Sequence, residues 1–211
     1  MPARSQVVLE PRKSPVQARS MASVEAILEA TIQVLLSEGK ERLTTTRVAW
    51  RAGVSVGTLY QYFPNKSALL QAALKRHLAE VSEAIDRTCR EQRGHTLEQM
   101  AVSLVTAFLE AKMRDAKVSV ALYSVSSDVD GAKIVQQMGA ESNKAIAGML
   151  ATSCEPLVKD PQLIASMLQA AMAGVSRRLL ESSAPEEQFD GLREELIFFV
   201  STYLNACSIP K

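Results

Sequence analysis

Residues 44–66, Thr-Thr-Thr-Arg-Val-Ala-Trp-Arg-Ala-Gly-Val-Ser-Val-Gly-Thr-Leu-Tyr-Gln-Tyr-Phe-Pro-Asn-Lys, constrain the fold more than any other stretch of the chain. Read physically, they form a short helix, a tight turn and a second short helix. Val48, Ala49 and Ala52 supply one apolar side of the first helix. Gly53 falls where that helix must stop and reverse, a position that favours a left-handed backbone. Val54 offers an apolar wedge between the helices, and Ser55 is an N-cap for the second. Leu59 turns that helix back into the core. Val56, Gly57, Thr58, Tyr60, Gln61 and Tyr62 are small or end in polar groups, so they can face a partner. This is the layout of a helix-turn-helix, whose second helix enters the DNA major groove.

The stretch resembles the N-terminal DNA-binding domain of the TetR family of bacterial transcriptional regulators. That family's run is roughly Thr-x-x-x-Ile-Ala-x-x-Ala-Gly-Val-Ser-x-Gly-Thr-Leu-Tyr-x-Tyr-Phe-x-x-Lys. Val48-Ala49 stands for Ile-Ala, while Ala52 to Ser55, Gly57 to Tyr60, Tyr62-Phe63 and Lys66 match outright. The resemblance covers about residues 18–75. It implies DNA-backbone contacts from Thr45, Thr46, Tyr60, Tyr62 and Lys66, a core position for Phe63, an effector pocket in each subunit, and a dimer built on the last two long helices. Trp50 departs from the family's usual polar residue and receives no role.

Around this stretch the residues make their own case. Thr44 is the expected N-cap of the first helix, and the open N–H groups after it suit a phosphate. Arg47 and Arg51, one turn apart, can add charge. Gln61 suits an adenine edge, and Val56, Gly57 and Thr58 are the other candidates for base or thymine-methyl contact. Gly57 allows close approach, or is simply a weak helix position costing roughly 1 kcal/mol. Pro64 ends the second helix and Asn65 caps the next. Lys66 then opposes the helix dipole, and a bound phosphate would compensate it.

Charge is distributed to match. The 211-residue chain has a net charge of +1, yet residues 1–66 hold nine Lys/Arg against five Glu, leaving 15 basic and 18 acidic residues in the remainder. A basic first third fits a phosphate-facing module joined to one that does not touch nucleic acid. Arg12, Lys13 and Arg19 lie in a proline-containing segment, residues 1–19, read as a flexible basic arm. It is either a disordered tail or an arm reaching phosphates or the minor groove.

The expected fold class is all-α: an N-terminal three-helix helix-turn-helix head followed by a C-terminal helical ligand-binding and dimerisation domain. The expected boundaries are residues 1–19 for the arm, 20–66 for the head and 67–211 for the effector-binding and dimerisation domain. Helices are expected over residues 20–38 (ended by Gly39), 66–92, 96–113, 116–126, 132–154, 161–182 and from Pro185 onwards. A capping box at Thr96 and Gln99 and an Asp160 N-cap before Pro161 mark two of the starts. Ser126 to Gly131 read as a break. Residues 192–206 are apolar nearly all round and must pack on more than one surface. A second subunit is the simplest partner, placing Met167, Ala170, Gly174, Leu196, Phe199, Val200 and Tyr203 at a dimer interface. Phe108, Met113, Tyr123 and Met138 are either core or the lining of a pocket for an apolar or aromatic small-molecule effector.

No phosphate-binding glycine loop, HExxH or GxSxG occurs, so catalysis is not expected. No cofactor or metal is expected either. The three cysteines, Cys89, Cys154 and Cys207, are widely spaced, which suits free thiols in a reducing compartment. No charge-free apolar run of membrane-spanning length occurs, so a cytoplasmic location without a membrane partner is expected. The expected activity is that of a sequence-specific regulator, of the repressor type, released from a palindromic operator by its effector. The alternative is a non-DNA helical interaction or apolar-ligand-binding protein using the C-terminal apolar surface.

Overall fold

The computed structural model describes residues 18–126 and 129–209. Nine helices account for most of the described residues: α1 (Ala18–Arg42), α2 (Thr45–Arg51), α3 (Val56–Tyr62), α4 (Lys66–Glu91), α5 (Leu97–Met113), α6 (Ala116–Ser124), α7 (Gly131–Leu150), α8 (Pro161–Leu180) and α9 (Pro185–Ala206). Much of the arm, including Arg12 and Lys13, lies outside the described residues, as do Ser127 and Asp128 of the expected break and the side chain of Arg19.

The chain forms two compact units, residues up to 77 with 120–134, and residues 78–119 with 135 onwards. In the first, α1 carries Ile27, Leu28, Ala30, Thr31, Ile32, Val34 and Leu35 on its buried side. The stretch Ser20–Arg42 is long and apolar enough to cross a bilayer by composition. Here that apolarity fills the core of the head, and the hydroxyl of the buried Thr31 is satisfied by donating to the Ile27 carbonyl at 2.7 Å. Gly39, with φ 78° and ψ 169°, interrupts the helix as expected, and a last turn follows it to Arg42. Leu69, Leu70 and Ala73 of α4 pack inward, and Arg76 pairs with both Glu25 and Glu29 of α1.

Residues 120–134 join this first unit because Leu122, Val125, Val129 and Ile134 are buried there. The buried Gln71 amide of α4 donates to the Val129 carbonyl at 3.2 Å. The expected boundary at residue 66 followed the start of a helix; the observed units divide inside α4, α6 and α7, because packing rather than chain order sets them. The turn into α7 is tight. Asp130 adopts φ 52°, and a Cβ on Gly131 would lie 2.6 Å from both the Cβ and the carbonyl oxygen of Ser126. Gly131→Ala is therefore expected to destabilise the protein by about 1–3 kcal/mol, the usual cost of overpacking, measurable by denaturant unfolding. An unchanged midpoint would mean that this turn relaxes freely.

In the second unit α5 packs against α9 and α8. Its core combines Leu97, Met100, Leu104 and Leu109 of α5 with Ile146 and Met149 of α7, Ile164, Leu168 and Met172 of α8, and Leu196, Val200 and Leu204 of α9. The helix starts follow capping chemistry. Thr96 Oγ1 accepts from Gln99 N–H at 3.2 Å while Gln99 Oε1 accepts from Thr96 N–H at 3.1 Å, a complete capping box. Asp160 caps α8 ahead of Pro161. α7 and α8 meet through a polar seam in which Asn143 Nδ2 donates to Ser166 Oγ at 3.1 Å and Gln169 Nε2 to the Gly139 carbonyl at 2.8 Å.

The last helix is less uniformly buried than its composition implies. Leu196, Val200 and Leu204 turn inward, whereas Phe198 and Phe199 are 68% and 53% exposed. Leu196 and Val200 were expected at a subunit interface. They belong instead to the core of their own chain, because they lie one turn apart on the side of α9 that faces α5 and α8.

Candidate nucleic-acid interface

The helix-turn-helix is built by local chemistry. Thr44 is extended (φ −128°, ψ 153°), and its hydroxyl accepts from Arg47 N–H, capping α2. Val48 and Ala49 are buried. Gly53 takes φ 66°, and Val54 N–H donates to the Ala49 carbonyl at 3.0 Å, closing the turn. Ser55 caps α3, its hydroxyl accepting from Thr58 N–H at 3.0 Å. Leu59 is the buried residue of α3 and Phe63, just beyond it, is also buried. Asn65 Oδ1 accepts from Ala68 N–H at 2.9 Å and opens α4.

With Leu59 directed inward, the helical period turns Val56, Gly57, Tyr60 and Gln61 outward, and all four are exposed. Thr58 and Tyr62 are half-buried at the flanks of the helix. Thr45 and Tyr60, singled out separately in the sequence, are brought together: their hydroxyls lie 3.0 Å apart and tie the first turn of α2 to α3. Thr44 and Thr46 are exposed beside them.

Three of the basic residues are engaged by protein groups. Lys66 Nζ donates to the Lys40 carbonyl at 2.6 Å, so part of the compensation for a cation in the first turn of α4 comes from the carbonyl end of α1. Arg47 donates to the Arg42 carbonyl at 2.7 Å and pairs with Glu38. Arg51 Nε donates to Gln33 Oε1 at 2.9 Å. Trp50 is 82% exposed, on the side of α2 away from Val48 and Ala49. Nothing in its surroundings explains an indole there.

The four effector candidates are divided between the two units. Phe108 is part of the second unit's core, Met113 and Met138 are half-buried in the same unit, and Tyr123 belongs to the first. The structure shows a different depression, of about 430 Å³, lined by Gln92, His95, Glu98, Gln99, Val102 and Ser103. Among the interface candidates, Met167, Ala170, Gly174 and Phe199 are exposed and Tyr203 is half-buried. Lys159 Nζ sits 5.7 Å from the centroid of the Tyr203 ring. Leu163 and Phe198, both exposed, extend this face and were missed, although Leu163 falls at helical spacing with Met167, Ala170 and Gly174.

Cys154 is exposed, and Cys89 and Cys207 are buried as free thiols. Burial, helped by Asp86 and opposed by Arg90, pushes the Cys89 thiol up to about 12, so it is protonated at neutral pH. No group of three or more His, Cys, Asp or Glu side chains gathers among the described residues.

A capped two-helix motif with a left-handed turn glycine and an outward face on its second helix defines a helix-turn-helix DNA-binding module. The sequence model described as "Bacterial regulatory proteins, tetR family" matches residues 27–73, and that described as "Tetracyclin repressor-like, C-terminal domain" matches residues 96–204, just over half the chain. The chain belongs to the TetR family of bacterial transcriptional regulators. It is 34% identical over 133 residues to the HTH-type transcriptional repressor KstR of Rhodococcus jostii, covering 62% of this chain and 60% of the relative. It is 37% identical over 79 residues to the nucleoid occlusion factor SlmA of Haemophilus ducreyi, covering 37% and 39%. The chain thus matches less than two thirds of the length of these relatives. A TetR-family regulator from Mesorhizobium loti superposes with a TM-score of 0.74 at 16% identity, covering 92% of this chain and all of that one. SmeT, the repressor of the Stenotrophomonas maltophilia efflux pump SmeDEF, superposes at 0.65 and 21% identity, covering 91% and 93%. Both superpositions share the fold.

Proposed function

We propose that the chain acts as a homodimeric, cytoplasmic repressor that holds a palindromic operator and releases it when a small molecule binds among the C-terminal helices. The observation that carries this reading is the outward face of α3, which contributes little to the protein's own core while Leu59 alone anchors the helix. Thr45, Thr46, Tyr60, Tyr62 and Lys66 are assigned to phosphate, with Thr44 and Ser55 setting the helix starts from which they act. The two-fold contact is assigned to the exposed stripe Leu163, Met167, Ala170 and Gly174 of α8, together with Phe198 and Phe199 of α9. The small residues permit close helix approach, and the phenylalanines supply apolar area that water otherwise covers. The second unit, residues 78–119 with 135 onwards, is assigned to effector binding and dimerisation. An apolar or aromatic effector must bind the operator-competent and released states unequally, since equal affinity shifts no population.

The test is selection of bound duplexes from a random pool, followed by a screen of small molecules for release of the selected duplex. Recovery of a palindrome and of at least one releasing compound is the expected result. A protein that retains no duplex and runs as a monomer would contradict the proposal and favour the non-DNA alternative. Tyr60→Phe removes the hydroxyl that meets Thr45. That hydroxyl is also the group assigned to phosphate, and losing one hydrogen bond of about 0.5–1.5 kcal/mol to the duplex is expected to weaken binding by roughly 2- to 10-fold, with the unfolding midpoint falling at most slightly. Equal affinity in a duplex titration would remove the role assigned to that hydroxyl.

A further inference from the structure

We propose that α3 reads A·T pairs and makes no guanine contact: Gln61 pairs with an adenine edge and Val56 packs on a neighbouring thymine methyl, with Gly57 letting the helix backbone approach the bases. This rests on the DNA-binding reading above and specifies the chemistry of the site that reading assigns.

Elimination across the outward face leads there. Tyr60 has its hydroxyl 3.0 Å from Thr45 Oγ1, and that pair sits beside the phosphate-facing first turn of α2. Thr58 has its hydroxyl 2.8 Å from Ser55 Oγ and its N–H capped by the same atom, so its polar groups are already used locally. Among the described residues the Gln61 side chain makes no hydrogen bond within the protein, although it is exposed and carries two donors and an acceptor. Its amide is therefore the polar side chain on this face still free to read a base. An amide of that kind matches the N6 donor and N7 acceptor of adenine.

Val56 is exposed at the start of the helix, and Gly57 follows it. A Cβ at Gly57 would meet only Ser55 Oγ, at an ordinary 3.7 Å. The protein's own packing therefore does not require glycine there, whereas a closely approaching base would. Residues 52–65 contain no Lys, Arg, His, Asp or Glu. The commonest guanine contact is made by Lys or Arg, and the nearby Arg47 and Arg51 are held by Glu38 and Gln33. The chemistry left on this face is an amide and a methyl surface, and both select A·T pairs.

The experiment uses the full chain and duplexes selected from a random pool. Half-sites are expected to hold adenine and thymine at the positions α3 covers. Replacing the selected adenine by 7-deaza-adenine, which removes N7, is expected to weaken wild-type binding by roughly 5-fold or more while leaving Gln61→Ala unaffected. Replacing the neighbouring thymine by uracil, which removes the methyl, is expected to weaken wild type but not Val56→Ala. Gly57→Ala is expected to lose duplex affinity with an unchanged or raised unfolding temperature. Half-sites with an essential guanine, sensitive to 7-deaza-guanine and indifferent to the adenine and thymine changes, would overturn the inference while leaving DNA binding intact. Recovery of no duplex at all would overturn both.

Discussion

Replacing Phe199 by aspartate is expected to convert the protein from dimer to monomer while leaving each subunit folded. Phe199 is half exposed on α9 and lies beside Phe198, outside the core that Leu196, Val200 and Leu204 build with α5 and α8. Burying a carboxylate in an apolar contact without a partner is costly. Removing a buried aromatic anchor typically costs about 2 kcal/mol or more, and two-fold symmetry places the change twice. A weakening of roughly 1,000-fold in the dimer constant follows from about 4 kcal/mol, readable by sedimentation at micromolar protein. Duplex affinity should fall with it, since one head then engages one half-site. Leu196→Ala or Val200→Ala provides the contrast, lowering the unfolding midpoint before it affects assembly. A Phe199→Asp protein that remains a dimer of ordinary strength would place the subunit contact on another surface.

The second large effect is expected at Leu59. It is fully buried and is the residue by which the seven-residue α3 is held to the head. So short a helix has no stability of its own and depends on tertiary packing. Leu59→Ala is expected to cost about 2–5 kcal/mol, a large share of the 5–15 kcal/mol typical of a whole domain. Thermal unfolding and duplex binding should both deteriorate, whereas Gln61→Ala is expected to change binding alone. A Leu59→Ala protein with wild-type stability and affinity would show that α3 is positioned by other contacts, with Phe63 the first to examine.

The parts of the fold that follow from short-range chemistry were readable in the sequence. Gly53 and Gly39 both take positive φ, and the N-caps at Thr44, Ser55, Thr96 and Asp160 form as expected. A cap acts within four residues, so its signal lies wholly in local sequence. What depends on packing between distant segments was not readable. The return of residues 120–134 to the first unit rests on Gln71 meeting Val129, 58 residues away. In α9 an apolar run does not say which side faces inward; the structure does, with Leu196 and Val200 in the core and Phe198 and Phe199 outside. Phe108 shows the same limit, because an aromatic at helical spacing looks identical whether it fills a core or lines a cavity. In the head, the sequence marked Thr45, Tyr60 and Lys66 individually. Their partners, Thr45 with Tyr60 and Lys66 with the Lys40 carbonyl, appear only in three dimensions.

The most direct test of the account is a salt titration of the protein on its selected duplex and on a scrambled duplex of equal length. Two heads making six or more phosphate contacts are expected to lose on the order of 10³-fold in affinity between 50 and 200 mM salt. The selected duplex should remain preferred throughout, because base contacts rather than phosphates carry the discrimination. An affinity that does not change with salt, or that is equal for the two duplexes at every salt concentration, would contradict the assignment of α2, α3 and Lys66 to operator DNA.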